Sequence, residues 1–401
     1  MISIAEARRI ILQQAKRLPV VIVPLLESLE MVLAEDVRSP WDIPAADNSA
    51  MDGYAFSHAS LCGLSLPVCG FLPAGTIRTE AIPPGKAIKI MTGAIIPSDC
   101  DTVVPIEDVL VTPAGITLKT GPKRGSHVRK RGGDVGADEL VFTSGTLIRP
   151  QEVGMLASFG CTDVPVYRKP VVAILATGDE LVEPGGERLP GKVINSNSLS
   201  IAAQVVAAGG TPVMLGIARD DREVTRDMLQ KGLTADVIIT SGGVSVGDHD
   251  FVKEVIDEMG GEIKFWKINM KPGKPLAFGV VADKPLFALP GNPVAAMVGF
   301  EMFVRPALLA MMGHTRIIRP LVRAVVTEPM CNNGDRPHLI RTQVELKDGK
   351  YHLKTTGDQG SARLSSLTLG NALVLIPPGA AVNRGEEVDA SLLDRSFEMQ
   401  Q

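Results

Sequence analysis

In the middle of the chain, short apolar runs alternate with amphipathic segments of helical length. The runs at 171–175, 212–217 and 236–240 have the pattern of buried strands, and the segments at 199–208 and 221–233 have that of helices. Strands joined through helices pair in parallel, because a parallel pair needs a long crossover connection. The alternation therefore predicts a three-layer α/β/α domain with a mostly parallel sheet.

The same rhythm continues beyond residue 250. We predict a helix at 251–259, strands at 263–268, 276–281 and 286–289, and a long helix at 294–311. The last segment is the most apolar long stretch, but Glu301 and Arg305 near its middle disfavour membrane insertion. We expect a buried core helix and no membrane contact.

Both flanks of this domain are rich in strand patterns separated by Pro and Gly turns. Examples are 20–23, 87–90 and 102–104 before it, and 321–327, 339–346, 351–356 and 372–376 after it. The first residues form an amphipathic helical pattern without the order of a signal peptide, so we expect a cytoplasmic protein. The flanks predict a β-rich region before the α/β domain and a small β-barrel or sandwich after it.

Length and composition limit the classes of protein that fit. A chain of 401 residues is too long for one ordinary core, and its 45% hydrophobic and 21% charged residues are typical of folded protein. A formal charge of −4 gives no general attraction to nucleic acid or to anionic membranes. The five cysteines lack C-x-x-C spacing, so we expect buried, reduced thiols and neither disulfides nor a thiolate zinc site.

Ligands of open α/β sheets bind at the carboxyl ends of the strands, where turns and helix N-termini expose backbone N–H groups. Four motifs fall at such ends: Thr-Gly-Asp-Glu at 177–180, Asn-Ser-Asn at 195–197, the loop 240–250, and Pro-Gly-Asn-Pro at 290–293. Glu180 and Asp179 could bind metal, accept from ligand amines or cap a turn. The Asn-Ser-Asn motif could contact ligand and also cap a helix.

The loop 240–250 predicts a phosphate site. Gly242 and Gly243 allow positive φ and close backbone approach, and the hydroxyls of Ser241 and Ser245 suit phosphate oxygens. Behind them, Asp248 and Asp250 flank His249 at a helix start. Capping explains one aspartate, but two carboxylates beside a phosphate also suit a bridging Mg²⁺.

Two groups of cations could face anions. Lys267, Lys271 and Lys274 lie in an irregular loop after a strand, where a bound anion would relieve their mutual repulsion. A second basic cluster lies between residues 123 and 131. For both groups a solvated surface loop is the alternative.

The four motifs in this order, with Asp-Asn-Ser-Ala-Met-Asp-Gly-Tyr-Ala at 47–55 and Met-Thr-Gly-Ala at 91–94, closely resemble the molybdopterin molybdenumtransferase family, which includes MoeA and the gephyrin E domain. The resemblance covers essentially the whole chain. It implies a discontinuous N-terminal helical and extended region at 1–45 and 137–169, a β-rich insertion at 46–136, a molybdopterin-binding α/β domain at 170–316 and a C-terminal β domain at 317–401.

The resemblance also implies an activity: Mg²⁺-dependent insertion of molybdate into adenylyl-molybdopterin, with release of AMP and formation of Mo-molybdopterin. It implies an elongated homodimer whose active cleft lies between the α/β domain of one subunit and the N-terminal region of its partner. Contacts with molybdopterin adenylyltransferase and with molybdoenzyme maturation partners are expected as well.

Matching the family's motifs residue by residue gives candidate roles. The catalytic candidates are Asp52, Glu180, Asp250, Lys267 and Lys271, and the metal candidates are Glu180, Asp248 and Asp250, of which Asp250 is the stronger. The substrate-binding candidates are Thr92, Asp134, Thr177, Gly178, Asp179, Asn195, Ser196, Asp220, Ser241, Gly242, Gly243, Ser245, Gly247, Lys274, Pro290, Gly291, Asn292 and Pro293. Asp221 is an alternative to Asp220, and Arg336 or Arg341 and Ser365 or Ser366 match only loosely.

Two other classes of function compete with this assignment. A molybdopterin adenylyltransferase or a pyrophosphatase could use the same α/β domain, although neither needs the long flanks. A non-enzymatic scaffold is the third class. The residues show no Ser-His-Asp or Cys-His arrangement, which disfavours a covalent enzyme intermediate. The sequence does not separate a preference for molybdate from one for tungstate.

Overall fold

The structure is a computed structural model that describes residues 1–187, 189–243 and 251–394. The chain forms two compact units. The β-rich unit contains Glu35–Ser144 and Gln151–Thr162, and the α/β–barrel unit contains Met1–Ala34, Gly145–Pro150 and the chain from Asp163 onward. Because the α/β domain and the C-terminal strands fall in one unit, the boundary between residues 316 and 317 stays a prediction.

The α/β domain is built on a six-stranded sheet. Its strands in chain order are β1 (Val171–Thr177), β2 (Thr211–Ala218), β3 (Val237–Ser241), β4 (Glu262–Phe265), β5 (Ala277–Val281) and β6 (Lys284–Leu289). Their order across the sheet is β2-β1-β3-β6-β5-β4. The first four in that order pair in parallel. β5 pairs antiparallel with β6, and β4 pairs antiparallel with β5. The predicted mostly parallel sheet is confirmed.

The antiparallel edge follows from a two-residue turn. Val281 pairs with Lys284 across Ala282 and Asp283, whose φ angles are +47° and +62°. Positive φ at both central residues is the geometry of the tight hairpin that matches strand twist. The apolar pattern predicts both strands but not this hairpin, since neither turn residue is a glycine.

Helices cover both faces of the sheet. They are α1 (Ser196–Ala207), α2 (Arg222–Gly232), α3 (Phe251–Glu258) and a final helix, Pro293–Met311. Successive residues of a strand point to opposite faces. Accordingly Ile174 packs in one buried cluster with Phe287, and Leu175 packs in another with Ala288. The three-layer arrangement predicted from the sequence is confirmed.

The final helix contains a π turn. It consists of Pro293–Gly299, the π segment Phe300–Val304 and Arg305–Met311. Pro306 has no N–H to donate to the preceding turn, which loosens the helical ladder at this point. By length and composition this helix is apolar enough to cross a membrane, but 72% of its most apolar window is buried inside the protein. It is the core helix that the sequence predicted.

The C-terminal strands close into a five-stranded barrel, as predicted. Around the barrel the order is Leu321–Val326, Lys350–Thr355, His338–Lys347, Ala372–Ile376 and Glu387–Leu392. The last of these was missed, because acidic residues interrupt its apolar run. Its buried Ala390 and Leu392 lie in the barrel core. A short helix, Ser365–Thr368, precedes the fourth strand, and Met330–Cys331 pairs with Ala381–Val382.

The remaining elements lie before the α/β domain. Helix Ile4–Gln14, capped by Ser3, and the strand pair Val20–Pro24 with Asp163–Tyr167 belong to the α/β–barrel unit. The β-rich unit has helix Pro150–Ser158 and sheets formed by Val68–Leu72, Ala87–Ile90, Gly53–Phe56 and Thr102–Pro105; by Ser65–Leu66, Gly115–Leu118 and Val109–Thr112; by Asn48–Ser49 and Val128–Arg129; and by Val37–Arg38 and Leu140–Phe142. The predicted strands of this region are present.

The cysteines were predicted less well. All five thiols are free, as expected, but only Cys100 is buried, whereas Cys62 and Cys331 are exposed. Burial raises the pKa of the Cys100 thiol to about 12, so it stays protonated. Cys62 lies in a loop and Cys331 ends the short strand Met330–Cys331. The number and spacing of the cysteines do not show which thiols are exposed.

Candidate functional site

Three parallel strands end side by side and bring the predicted motifs together. Ala176 of β1 pairs with Ser241 of β3, and Ser241 pairs with Leu289 of β6. The turns that follow therefore open at one edge, where they enclose a cavity of about 730 Å³, called here the strand-end cavity. The cavity is lined by thirteen of the site residues that the sequence predicted, namely Thr177, Gly178, Glu180, Asn195, Ser196, Asp220, Ser241, Gly242, Gly243, Pro290, Gly291, Asn292 and Pro293.

Other lining residues were not among the predicted site residues. They are Leu181, Val193, Ile194, Asn197, Pro275 and Ala362. Leu181 and Val193 belong to a small parallel ribbon that forms an apolar wall. Asn197 donates from its amide to Ser241 Oγ and to the Gly291 carbonyl, both at 2.8 Å, and so ties three motifs together. Its place in the Asn-Ser-Asn motif was the available signal.

The start of the predicted phosphate loop needs glycine. A Cβ on Gly242 would lie 2.7 Å from the Thr177 carbonyl oxygen, and its φ is +92°. Gly243 also has a positive φ, of +66°. Both glycines therefore have the positive φ that the sequence suggested, and Gly242 lies against the end of β1. The approach of this loop to a phosphate stays a prediction. The other site residues predicted in this loop lie outside the described residues; they are Ser245, Gly247, Asp248 and Asp250. His249, between the two aspartates, lies outside them as well.

Several buried polar atoms around the cavity lack hydrogen-bond partners in the described part of the chain. They are Thr177 Oγ1, Thr240 Oγ1, Asn195 Nδ2 and Ser198 Oγ. Asn195 caps α1 as predicted, since its side-chain oxygen accepts from Ser198 N at 3.2 Å, which leaves the amide nitrogen free. Buried polar groups rarely stay unpaired in proteins. The cavity is therefore suited to a polar ligand or ordered water.

The acidic residues near the cavity divide into two kinds. Glu180 and Asp220 line it, and neither makes an ion pair within the described ranges. Asp179 is not a lining residue: its carboxylate accepts from Asp220 N at 3.1 Å, and its carbonyl accepts from Lys192 and Arg219. Asp221 caps α2 by accepting from Val224 N at 2.9 Å. The structure thus favours Asp220 over Asp221 as a ligand contact.

Oxygen donors such as these suit a hard cation. Mg²⁺ is usually held by one or two carboxylates together with substrate phosphate and water. Glu180 and Asp220 supply such donors beside the predicted phosphate loop. Among the described residues there is no group of three or more His, Cys, Asp or Glu side chains placed to hold a metal. These two carboxylates therefore match the one or two that Mg²⁺ usually takes from a protein when it also binds a phosphate.

A second cavity, of about 410 Å³, adjoins the first and is called here the lysine cavity. The two share Pro275, Pro290 and Asn292. Lys271, Lys274 and Arg336 bring three cations to its wall, and Asp358 also lines it. Asp358 is paired with Arg363 at 3.0 Å. Lys267 is half-buried and is not among the residues lining either cavity.

Arg341 lies fully buried behind the lysine cavity. It donates from Nε to Ser366 Oγ and from Nη2 to the Gly360 carbonyl, each at 3.1 Å, while Nη1 has no partner within the described chain. Burial lowers its pKa to about 10. Gly360 lines the cavity, so the guanidinium adds positive charge close to its wall. Ser366 is buried with Arg341, whereas Ser365 is exposed.

The barrel clamps the backbone of Lys271. Lys271 N donates to Pro337 O and Leu339 N donates to Lys271 O, both at 2.8 Å, so that Lys271 pairs with His338. Arg336 Nη1 adds a bond to the Met270 carbonyl at 3.1 Å. The barrel thereby fixes the loop that carries two of the predicted lysines, which the sequence did not indicate.

The candidates in the β-rich unit lie on its surface. Asp52 Oδ1 accepts from both the N–H and the hydroxyl of Thr92, at 2.7 Å each. These bonds hold the pKa of the Asp52 carboxyl below its usual value. Asp52 and Asp134 are both exposed. In the basic cluster at 123–131, three cations pair with aspartates: Arg124 with Asp101, Lys130 with Asp47 and Arg131 with Asp42.

Comparison with known proteins covers nearly the whole chain. Residues 2–160 match the family described as MoeA N-terminal region (domain I and II), residues 173–310 match a probable molybdopterin binding domain, and residues 323–393 match MoeA C-terminal region (domain IV). Molybdopterin molybdenumtransferase 2 of Mycobacterium tuberculosis is 34% identical over 387 residues, which is 94% of this chain and 95% of the relative. The chain belongs to the molybdopterin molybdenumtransferase family.

Other members of the family give the same result. The molybdopterin molybdenumtransferase of a Nostoc species is 35% identical over 380 residues, covering 92% of this chain and 87% of the relative. The solved structure of the molybdopterin biosynthesis MoeA protein of Pyrococcus horikoshii matches with a TM-score of 0.84 at 30% identity, covering 98% of this chain and all of that one. The predicted family and the predicted fold class are confirmed.

Replacing the two adjacent aspartates separates binding from capping. We expect Asp221→Ala to lower the free energy of unfolding by about 1 kcal/mol, because α2 loses its N-cap, with ligand affinity retained. Asp220→Ala should change stability by less than about 0.5 kcal/mol, as exposed substitutions do, and weaken ligand binding. Urea unfolding and equilibrium binding of adenylyl-molybdopterin provide the two readouts. Equal effects of both variants on binding would contradict the assignment.

The buried His338 predicts a pH dependence of stability. Burial, with Lys271, Arg341 and Arg336 nearby, lowers the pKa of His338 from 6.5 to about 4. The unfolded chain therefore takes up the proton first, so this residue lowers the free energy of unfolding progressively as pH falls from 6.5 to 4. We expect His338→Gln to show a smaller loss across that range in urea unfolding, and parallel curves for both proteins would argue against this.

Proposed function

We propose that this chain inserts molybdenum into molybdopterin, using adenylyl-molybdopterin and molybdate as substrates and releasing AMP. One observation carries the proposal: a polar cavity suited to a phosphorylated ligand directly adjoins a cavity lined by cations. The two share Pro275, Pro290 and Asn292, so a ligand filling the first would present one end to the second. Such an arrangement would bring an oxyanion beside an activated phosphate, which is what the proposed reaction requires.

The strand-end cavity offers the contacts that adenylyl-molybdopterin needs. Ser241 ends β3, and Gly242 and Gly243 follow it, so that backbone N–H and hydroxyl groups at this strand end suit phosphate oxygens. The apolar ribbon of Leu181 and Val193 provides a surface for flat rings. A volume of about 730 Å³ lies in the range of sites for small-molecule ligands.

The lysine cavity offers the contacts that molybdate needs. Molybdate is a dianion, and ammonium and guanidinium groups bind oxyanions through charge-assisted hydrogen bonds. Lys271, Lys274 and Arg336 line the cavity, and the buried Arg341 lies behind it with one nitrogen unpaired in the described chain. We assign Lys271 and Lys274 to oxyanion binding, and Arg336 and Arg341 to charge neutralisation.

The carboxylates of the strand-end cavity fit a Mg²⁺ ion. Glu180 and Asp220 would hold it from the described part of the chain, and the resemblance adds Asp248 and Asp250. When bound, Mg²⁺ neutralises charge that develops on phosphate oxygens. Lys271 and Lys274 then stabilise the negative charge of the incoming oxyanion, so the chain's own residues supply orientation and charge on both sides of the anhydride.

Rival enzymes use less of the molecule. A molybdopterin adenylyltransferase or pyrophosphatase would need only the strand-end cavity. The lysine cavity is completed by Arg336 and Gln359–Gly360 from the barrel region, beyond the α/β domain. Because three cations line it, this added cavity favours an enzyme that binds an oxyanion as its second substrate. Molybdate and tungstate present the same shape and charge, so these contacts suit both. A non-enzymatic scaffold leaves the convergent cations without a role.

We further propose a homodimer in which the partner supplies Asp52 and Thr92. Their mutual hydrogen bonds fix an exposed carboxylate, as expected of a group that meets its ligand from another subunit. In the α/β–barrel unit, Val20, Ile22 and Leu26 are 46%, 75% and 78% exposed. An apolar group of this kind is typical of a self-association surface. Cytoplasmic location and transfer of adenylyl-molybdopterin from its adenylyltransferase complete the proposal.

Replacing one carboxylate tests the reaction. We expect Glu180→Gln to keep its affinity for adenylyl-molybdopterin within about threefold of the unaltered protein. The rate of molybdate-dependent AMP release should fall at least about a hundredfold, because a neutral amide is a poor ligand for Mg²⁺ and does not balance its charge. AMP release is measured by chromatography. Glu183→Gln, a nearby exposed carboxylate, is the matched control and should behave as the unaltered protein. Full turnover by Glu180→Gln would refute the assignment.

Mixing two inactive variants tests the shared site. In a random mixture of Asp52→Ala and Lys271→Ala subunits, half the dimers combine one of each, and every such dimer holds one intact site if the cleft is formed between subunits. The mixture should recover about a quarter of the original AMP release, provided that subunits exchange. Each variant alone should stay inactive. No recovery in a mixture shown to contain heterodimers would place Asp52 and Lys271 in the same subunit's site.

A further inference from the structure

A third cavity, about 530 Å³ in volume, lies where the barrel meets the loop of Lys271, and is called here the barrel cavity. Its polar lining includes Lys271, His338, Asn332, Thr355 and Gln359. No carboxylate lines it among the described residues. Lys271 also lines the lysine cavity, so the same residue borders both spaces.

Most polar side chains of the barrel cavity are already engaged. The Asn332 amide donates to the carbonyls of Arg336, Ile376 and Pro377. The Thr355 hydroxyl donates to Glu328 at 2.7 Å, and Gln359 donates to the Arg341 carbonyl at 3.2 Å. The side-chain donors that remain for a ligand are therefore the Lys271 ammonium, the imidazole of His338 and the exposed amide of Asn333.

His338 is the second observation that points to a ligand. Its side chain is 5% exposed, and its Nε2 has no hydrogen-bond partner among the described residues. Burial, together with the charges of Lys271, Arg341 and Arg336, holds its pKa low at about 4. An imidazole nitrogen can donate a proton to an oxygen acceptor. Converging cations with an unused donor and no acid among the lining residues favour an anion.

We propose that the barrel cavity is a second binding site for a small tetrahedral oxyanion, contacted by Lys271 and His338. An ammonium group has three donors, so Lys271 can serve an oxyanion in either cavity. The binding site stands without the proposed function, but its role as a staging position, from which molybdate passes to the lysine cavity, rests on that function.

Crystals soaked in tungstate locate the sites directly, because tungsten scatters anomalously. We expect one tungstate in the lysine cavity and a second in the barrel cavity, within hydrogen-bond distance of Lys271 Nζ and His338 Nε2. An empty barrel cavity at a tungstate concentration that fills the lysine cavity would overturn the proposal.

Titration of tungstate in solution tests the contacts. The unaltered protein should bind two equivalents per chain. His338→Ala should weaken the second by about tenfold or more, as expected when a hydrogen bond to a charged group is lost, and His338→Gln, which keeps a donor, should recover most of that affinity. His352→Ala, on the neighbouring strand Lys350–Thr355, is the matched control and should change neither. If His338→Ala binds both equivalents as tightly as the unaltered protein, the proposal fails.

Further arms separate this inference from the proposed function. Lys274 lines the lysine cavity alone, so Lys274→Ala should lose the first equivalent and keep the second. Competition of sulfate and of phosphate with bound tungstate shows whether the barrel cavity takes any tetrahedral oxyanion or prefers the larger tungstate. Either result upholds an oxyanion site. Two bound tungstates without molybdate-dependent AMP release would reject the proposed function alone, whereas AMP release with a single bound tungstate would reject only this inference.

Discussion

The close approach of Gly242 to the Thr177 carbonyl is the constraint on which the site depends. Gly242 has no side chain that could collide with that oxygen. The chain can therefore leave β3 directly against the end of β1. Parallel pairing of β1, β3 and β6 then sets the remaining turns at the same edge of the sheet. Ser241, Asn197 and Gly291 are joined by hydrogen bonds as a result. One permissive residue thus determines how four separate motifs become a single cavity wall.

The barrel contributes to the chemistry through Lys271. Backbone bonds from Pro337 and Leu339 hold this lysine, and Arg336 reaches back to Met270. The buried Arg341 makes no hydrogen bond to a carboxylate within the described chain, and the charge of Asp358 offsets only part of the effect of burial, so its pKa stays low at about 10. Burial of an incompletely compensated cation costs stability. An oxyanion in the cavities beside Arg341 would supply the missing negative charge.

Sequence reasoning predicted the architecture well where periodicity was strong. Apolar spacing alone predicted the α/β alternation and the core helix, and it left a barrel or a sandwich open for the C-terminal strands. The strand-end motifs followed from the rule that ligands bind at the carboxyl ends of parallel strands. Asp220 and Asp221 could not be separated in this way, because which of two adjacent carboxylates caps α2 depends on backbone angles. The hairpin at Ala282 was missed for a similar reason, since positive φ at a non-glycine residue leaves no mark in the sequence.

Long-range contacts were the least predictable part. The pairing of Lys271 with His338 joins segments that are distant in sequence, and a lone histidine gives no signal of burial. We propose that an adenylylated pterin lies along the ends of β1, β3 and β6 with its phosphates toward the lysine cavity. A crystal structure with bound adenylyl-molybdopterin would show this placement. We expect phosphate oxygens against Ser241 and Gly242, on the side of the strand-end cavity that adjoins Lys271. A ligand bound elsewhere, or with its phosphates turned away from the lysines, would refute the proposal.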